Sequence, residues 1–356
     1  MAQEPPVEPI VDKKANNVGK SLGNVPLHVF EKIVRRMDPH SIFEVSLISE
    51  PFLDKVTAFK YVAEYANWTV HPITKTLEIG MNNDIKLTFH IQHRPCRSNF
   101  DKLNANGKFG SISREEEKRD CVKYYFIRDY DQMGLFKEIT EHVLSLFKVK
   151  KFRCYLYTDT ALQELFMWNY TKTFFDFGVS VEETNAEQMT YLLENGKFTN
   201  LHLLTNVPNF NFPKQISTTN LAINNVKSLG VNNILDYGCP KIEVGEIEYG
   251  EFNTILKNWL AKENDSIESL NGTLRPPVSE LFDGIKTRPT VFDIADYRLR
   301  VQVFNPENAV DIQRSTDGRI ATIFVCERRF QIMTWHPKHF KYCSRSTKTR
   351  FGIIKN

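Results

Sequence analysis

The stretch Leu22-Gly-Asn-Val-Pro-Leu-His-Val-Phe-Glu-Lys-Ile-Val-Arg-Arg-Met-Asp-Pro-His-Ser-Ile-Phe-Glu-Val-Ser-Leu-Ile-Ser49 decides how the N-terminal part of this chain is read. Val25, Val29, Ile33 and Met37 recur at every fourth position, with Phe30 and Val34 beside them. That spacing predicts an amphipathic helix with a wide apolar stripe. Asp38-Pro39 then ends it and begins a second helix, with Asp38 as N-cap and Pro39 at the first helical position. Ile42, Val45 and Leu47 or Ile48 give that short helix its buried side. A third helix is read from Pro51 to Ala66, carried by Phe52, Val56, Phe59 and Ala63 at helical spacing. So small a bundle is marginal alone, and its stripe exceeds what it can bury internally, so a partner surface is expected.

Working outward, residues 1–20 are proline-rich and charged and read as a disordered tail. After the helical unit at 21–66, residues 67–130 read as a strand-rich connector. It holds strands at Lys75–Ile79 and Ile85–Gln92 and a polar, mobile loop near 98–120. From Asp131 to Leu274 a second rhythm sets in. Helical segments at Met133–Phe147, Ala161–Phe174, Ala186–Glu194, Val226–Tyr237 and Phe252–Ala261 alternate with strand-like ones. The strands are read at Phe152–Tyr157, Phe177–Val181, Asn200–Leu204, Asn220–Ile223, Lys241–Val244 and Ser269–Leu274. Their spacing of roughly 20–28 residues is that of leucine-rich and related β–α repeats, which stack parallel strands on one concave, protein-binding face. The rhythm breaks at Arg275-Pro276-Pro277. Tyr297–Phe304, Val310–Arg314, Arg319–Cys326 and Arg329–Trp335 then read as an antiparallel β-meander over 275–340, with Asp317-Gly318 as a type I′ hairpin signal. Residues 341–356 form a basic tail.

The composition narrows the function classes. Of 356 residues, 41% are hydrophobic and 25% charged, which excludes wholesale disorder and fibrous chains. Sixteen glycines are too few for a chain built on phosphate-cradling loops, whereas 26 phenylalanines and 13 tyrosines point to aromatic packing. The net charge of +3 gives no argument for nucleic acid, although the stretch from His336 to Asn356 carries Lys338, Lys341, Arg345, Lys348, Arg350 and Lys355 without an acid. Six scattered cysteines form no CxxC pair and read as reduced core thiols. No leader-like or membrane-length apolar run is present in the sequence, so a cytoplasmic or nuclear protein is expected, with the sequons at Asn67, Asn169, Asn264 and Asn271 unmodified.

Catalytic motifs fail one after another. Gly19-Lys20-Ser21 ends like a phosphate loop, but the glycine needed five residues earlier is Lys14. There is no GxSxG elbow, no HExxH and no glycine-rich βα turn. His90, His93 and Cys96 have ligand chemistry, but a strand sends His90 and His93 to opposite faces and Pro95 bends the chain before Cys96. His336, His339 and Cys343 lack a fourth ligand in view. The reading is therefore no catalytic residue, no metal and no cofactor. Trp259, on an apolar helix face with Asn253 and Lys257, reads as core rather than as a binding hot spot.

The quoted N-terminal stretch resembles an F-box. The likeness lies in the Val25-Pro26 entry, the aliphatics Val29, Ile33 and Met37, the Asp38-Pro39 break and the Ser46-Leu47-Ile48-Ser49 exit. Further on, Cys239-Pro-Lys-Ile-Glu-Val244 and Phe252-Asn-Thr-Ile-Leu-Lys-Asn-Trp-Leu260, followed by Ile267-Glu-Ser-Leu270, look like the F-box-associated type 2 domain of nematode F-box proteins, over about 197–270. Val310–Ile323 resembles the C-terminal strands of the same family. Glu50-Pro51 departs from it, standing where the family usually has a basic pair.

The resemblance implies an α+β chain: an N-terminal three-helix F-box, a leucine-rich-repeat-like β–α solenoid and a C-terminal antiparallel β-meander. It also implies a function, that of a non-enzymatic substrate-recognition subunit of a Skp–cullin–F-box ubiquitin ligase. The partners would be a Skp-type adaptor, through it a cullin, and a protein substrate that the sequence does not name. Val25, Pro26, Val29, Ile33, Met37, Leu47 and Ile48 would bind the adaptor. A scaffold or nucleic-acid-binding protein using the basic tail is the alternative.

Overall fold

The computed structural model describes residues 25–92, 101–103, 109, 112–118, 120–127, 130–208, 210, 216, 218–224, 234–262, 266–275, 281–290, 292 and 309–350. The chain is a mixed α+β protein in two compact units, Met1–Lys151 and Phe152–Asn356.

The first unit begins with helices α1 (Leu27–Val34), α2 (Pro39–Ser46) and α3 (Glu50–Thr57). Asp38 caps α2 as the sequence predicts: its carboxylate accepts from the Ser41 amide at 2.7 Å, and Pro39 opens the helix. The third helix is shorter than predicted. It ends at Thr57, and Tyr61–Val70 is strand β1, so the expected boundary at 66 falls inside a strand. Phe59 and Ala63 fit a helical period by coincidence, whereas Ala66, Trp68 and Val70 are buried in the strand's own two-residue alternation.

Strands β2 (Lys75–Gly80) and β3 (Lys86–Gln92) continue an antiparallel meander from β1. Where a polar loop was expected near 98–120, the described residues include two strands: β4 (Asp101–Leu103) and β5 (Ile112–Lys118) pair antiparallel, and β5 pairs with β6 (Cys121–Ile127). The acid–base run looked like loop because its pairing is ionic. Glu115 sits opposite Lys123, and Lys123 forms a 2.9 Å ion pair with Glu117. Strand β6 runs parallel to β3. Helix α4 (Gln132–Leu146) packs against this sheet through Leu135, Phe136, Ile139 and Val143.

Phe43 pins the three helices to the sheet, with ring centroids 4.8 Å from Phe89, 4.7 Å from Tyr124 and 5.8 Å from His142. The Ser46 hydroxyl lies 2.8 Å from His142 Nε2, the Tyr124 hydroxyl donates to Glu44 at 3.0 Å, and Arg114 pairs with Glu44 at 3.0 Å. The bundle's missing core is thus supplied by its own unit.

In the second unit, the last four residues of β7 (Phe147–Leu156) pair with β8 (Thr173–Val179), followed by β9 (Lys197–Leu203), β10 (Asn220–Ile223), β11 (Lys241–Ile247) and β12 (Ser269–Leu274). All are parallel and adjacent in chain order. Helices α5 (Ala186–Asn195) and α6 (Tyr249–Ala261) form two of the return segments. The helix expected at Ala161–Phe174 is instead two 3-10 turns, Leu162–Glu164 and Phe166–Asn169, followed by β8. The physical reason is an aromatic cluster. Trp168 stacks on Phe177 at 5.8 Å, and Phe174 meets Phe177 edge-on at 5.0 Å, which needs Phe174 in the strand. Of the helix expected at Val226–Tyr237, residues 226–233 lie outside the described residues and 234–237 are turn.

The meander follows as β13 (Arg288–Pro289), β14 (Val310–Gln313), β15 (Ile320–Cys326) and β16 (Arg329–Thr334), with β16 antiparallel to β12. The strand expected at Tyr297–Phe304 lies outside the described residues. Asp317-Gly318 does sit in the β14–β15 connection, but in a longer loop than a type I′ turn: Arg314 N bonds Arg319 O at 2.9 Å, and of the two only Gly318 has positive φ (70°). The two-residue turn is Glu327-Arg328, where Glu327 takes φ 54°. Phe292 stacks on Trp335 at 3.6 Å over a core with Ile320, Phe324 and Met333. Helix α7 (Arg345–Arg350) follows, and with Cys343 and Thr347 buried, the chain up to 350 belongs to the fold rather than to a free tail.

Candidate functional site

Two surfaces carry the candidate chemistry, one in each unit. On the first, α1 divides its apolar residues between two sides. Phe30 and Val34 are buried, with the Phe30 ring 6.1 Å from Phe52. Val29 and Ile33 are each 38% exposed, Leu27 is 56% exposed, and Ile48, in the turn after α2, is 36% exposed. Val29 and Ile33 lie one helical turn apart, with Pro26 on the same side. The predicted stripe is therefore split: its Phe30/Val34 edge faces inward and its Val29/Ile33 edge faces out. Val25 and Met37 are half-buried and Pro26 is exposed. Leu47, only 7% exposed, belongs to the bundle's interior and offers no surface to a partner. Leu27 is the residue that sequence reasoning passed over. Its signal was available, because a leucine just after the Pro26 entry starts a helix where no preceding turn can cover it.

On the second unit, alternation along the parallel strands sends one set of side chains to the face opposite α5 and α6's apolar contacts. The register aligns Arg153, Asp176, Asn200, Asn220, Lys241 and Ser269 in one row, and Tyr155, Gly178, His202, Ala222, Glu243 and Asn271 in the next. The first row is a directed chain. Arg153 pairs with Asp176 at 3.1 Å, Asn200 Nδ2 donates to Asp176 Oδ1, and Asn220 Nδ2 donates to Asn200 Oδ1. Each amide gives its N–H toward Asp176, so the chain ends on the oxygen of Asn220. In the second row, Tyr155 and His202 stand 6.3 Å apart across Gly178, where a Cβ would strike the Tyr155 ring at 2.6 Å. Burial, and then Asp176, push the Tyr155 hydroxyl above its ordinary pKa, so it stays a neutral donor. A cleft of about 190 Å³ opens beside His202, bordered by Asn220, Ala222, Lys241, Glu243 and Asn271.

The other residues considered from sequence are committed to the fold. His90 stacks on Tyr125 at 5.1 Å and lies 3.2 Å from Thr76 Oγ1; burial, then Lys123, lower its pKa. His93, Cys96 and Gly19-Lys20-Ser21 lie outside the described residues. His336 Nε2 is 2.8 Å from Ile267 O, His339 accepts from the His336 amide at 3.1 Å, and Cys343 donates to His339 O. No three potential metal ligands converge among the described residues. Asn253 donates to Leu281 O and Asp283 O, and Trp259 is buried beneath the Arg314 guanidinium, 4.7 Å from its ring centroid. Cys154, Cys239 and Cys343 are buried free thiols, and burial pushes Cys239 up to about 12. No helix among the described residues is long and apolar enough to cross a membrane. Comparison with protein-family models, curated proteins and solved structures finds no match to the chain.

Proposed function

We propose that the protein is a substrate-recognition subunit of a Skp–cullin–F-box ubiquitin ligase. In this reading α1–α3 are the F-box, the parallel strands of the second unit are a leucine-rich-repeat-like solenoid, and the Skp-type adaptor recruits the cullin. The observation that carries it is the split of α1. A helix that served only as a cap on its unit would turn its aliphatics inward, whereas Leu27, Val29 and Ile33 remain exposed while Phe30 and Val34 hold the helix down. A surface of that kind, anchored on a rigid support, suits burial in an apolar interface. The resemblance of the Val25–Ser49 segment to the F-box pattern names the partner.

The mechanism is tethering. Holding a target near a charged ubiquitin-conjugating enzyme raises its effective concentration, and the chain needs no catalytic group for that. Co-expression with a Skp-type adaptor tests the proposal. The wild-type chain is expected to co-purify with the adaptor and the Ile33→Asp/Met37→Asp variant to lose it; a soluble variant that still co-purifies overturns the proposal.

A further inference from the structure

The parallel strands of the second unit separate their charges between their two ends. From Cys154 to Pro213 the only lysines and arginines are Lys172 and Lys197, and both stand where β8 and β9 begin. Just past the ends of β7 and β8 the chain carries Asp159, Glu182 and Glu183 instead. All three are exposed and none has an ion-pair partner among the described residues. The nearest cation on the open face, Arg153, is tied to Asp176 at 3.1 Å and lies at the other end of its strand.

Backbone bonds fix these acids around an apolar pair. Ser180 N donates to Leu156 O and Leu204 N to Val179 O, each at 2.8 Å, which extends the parallel register by one residue. Tyr157, Ser180 and Leu204 therefore form a third row on the open face, beside the row that holds Tyr155 and His202. Tyr157 is 43% and Leu204 44% exposed, with Ser180 between them. Two strand spacings, about 10 Å, separate them, which leaves width for one side chain. Asp159 is two residues beyond Tyr157. On the other side, Asn206 N donates to Glu182 O at 3.1 Å and Thr184 N to Asn206 O at 2.8 Å, so Glu182 and Glu183 run beside the segment that follows Leu204. The buried hydroxyls of Thr184 and Thr205, 3.1 Å apart, pin the two segments together.

An exposed apolar pair on a fixed sheet, rimmed by acids of one sign, is the pattern of a protein-docking surface. The sign of the rim selects the occupant. Phosphate-bearing partners are repelled, whereas a cationic segment is drawn in, and its ammonium or guanidinium groups can also lie over the Tyr157 ring.

We infer that this end of the open face docks a basic segment of the target protein, with an aliphatic side chain between Tyr157 and Leu204 and flanking lysines or arginines over Asp159, Glu182 and Glu183. The inference rests on the receptor function proposed above.

The test uses the full chain and an acetylated heptapeptide of glycine and serine with leucine at its centre and lysine at the second and sixth positions. One companion carries glutamate in place of both lysines, and another carries serine in place of leucine. The basic leucine peptide is expected to bind about tenfold or more tightly than either companion, and to weaken as salt rises from about 50 mM to about 500 mM. Glu182→Gln/Glu183→Gln should lose most of the preference for the basic peptide over the acidic one while thermal unfolding stays unchanged. Leu204→Ser should lose the preference for leucine over serine. Asp54→Asn/Asp84→Asn, which removes the same charge from exposed positions of the first unit, should keep both preferences. Preference for the acidic peptide, equal binding of all three, no saturable binding at millimolar peptide, or an equal loss in the two charge variants each overturns the inference. Adaptor binding measured on the same samples separates the two readings. A chain that binds adaptor without preferring the basic peptide defeats this docking end and leaves the receptor; the reverse result defeats the receptor and leaves a binder of basic segments.

Discussion

Truncating Phe43 to alanine removes the ring that fastens the three helices to the rest of their unit. Phe43 is fully buried between Phe89, Tyr124 and His142, with two centroid distances below 5 Å. Backbone and neighbours are held by Ser46–His142 and Tyr124–Glu44 hydrogen bonds, so collapse into the void is limited. Large-to-small changes at such aromatic positions cost about 3–5 kcal/mol, a large part of a total stability of about 5–15 kcal/mol. With a urea dependence of about 2 kcal/mol per molar, the unfolding midpoint should fall by about 1.5–2.5 M. Ile33→Ala is the control. Because its side chain is 38% exposed, its cost should stay within about 1 kcal/mol, a midpoint change of about 0.5 M or less. Equilibrium urea unfolding of the full chain, followed by circular dichroism, reads both. Equal losses for Phe43→Ala and Ile33→Ala would refute the division of α1–α3 into an anchored side and an outward side.

Two other predictions concern charges. Burial pushes the Asp38 carboxyl up, but the Ser41 hydroxyl and amide and then His40 outweigh it, leaving the pKa below its ordinary value. A depressed folded value means that the cap stabilises fully above the unfolded value and loses its effect as pH falls through the folded one. Asp38→Ala should therefore cost about 1 kcal/mol at neutral pH and less in acid, once the folded-state carboxyl is protonated, as read by urea unfolding at neutral and acid pH. Asp317 supplies both carboxylate oxygens to the fully buried Arg314, at 3.1 and 2.9 Å, while Arg314 also donates to Lys262 O at 2.8 Å. Asp317→Ala should cost about 3 kcal/mol because it takes both carboxylate oxygens away from a buried guanidinium, and Arg314→Met in that background should recover part of it in thermal unfolding.

The sequence was most legible where local chemistry and tertiary packing agree. Asp38-Pro39 capped α2 as read, and Ala186, Asn220 and Ser269 begin elements where their segments were expected. It misled where tertiary contacts overrode periodicity. Phe174 looked helical but joins the Trp168–Phe177 cluster as a strand residue. Arg114 to Lys118 looked like part of a mobile loop because the strand is held by cross-strand charge, Glu117 pairing with Lys123. At the candidate sites the stripe Val29/Ile33 was visible, yet which of its edges is buried depends on Phe52 and the sheet behind it. The cleft could not be read at all. Asn220, Glu243 and Asn271 are ordinary strand residues until parallel register puts them side by side, and the bonds that orient the Asn200 and Asn220 amides exist only across strands.

The central claim is that the exposed edge of α1 is a docking surface and not part of the core. The most direct measurement is the affinity of the purified chain for a purified Skp-type adaptor, beside the urea midpoint of the same sample, for wild type and Val29→Asp/Ile33→Asp. The account expects tight binding by the wild type, a loss of about a hundredfold or more in the variant, and a midpoint that moves far less than for Phe43→Ala. Retained adaptor binding in the variant, or a loss that comes only with unfolding, would contradict it.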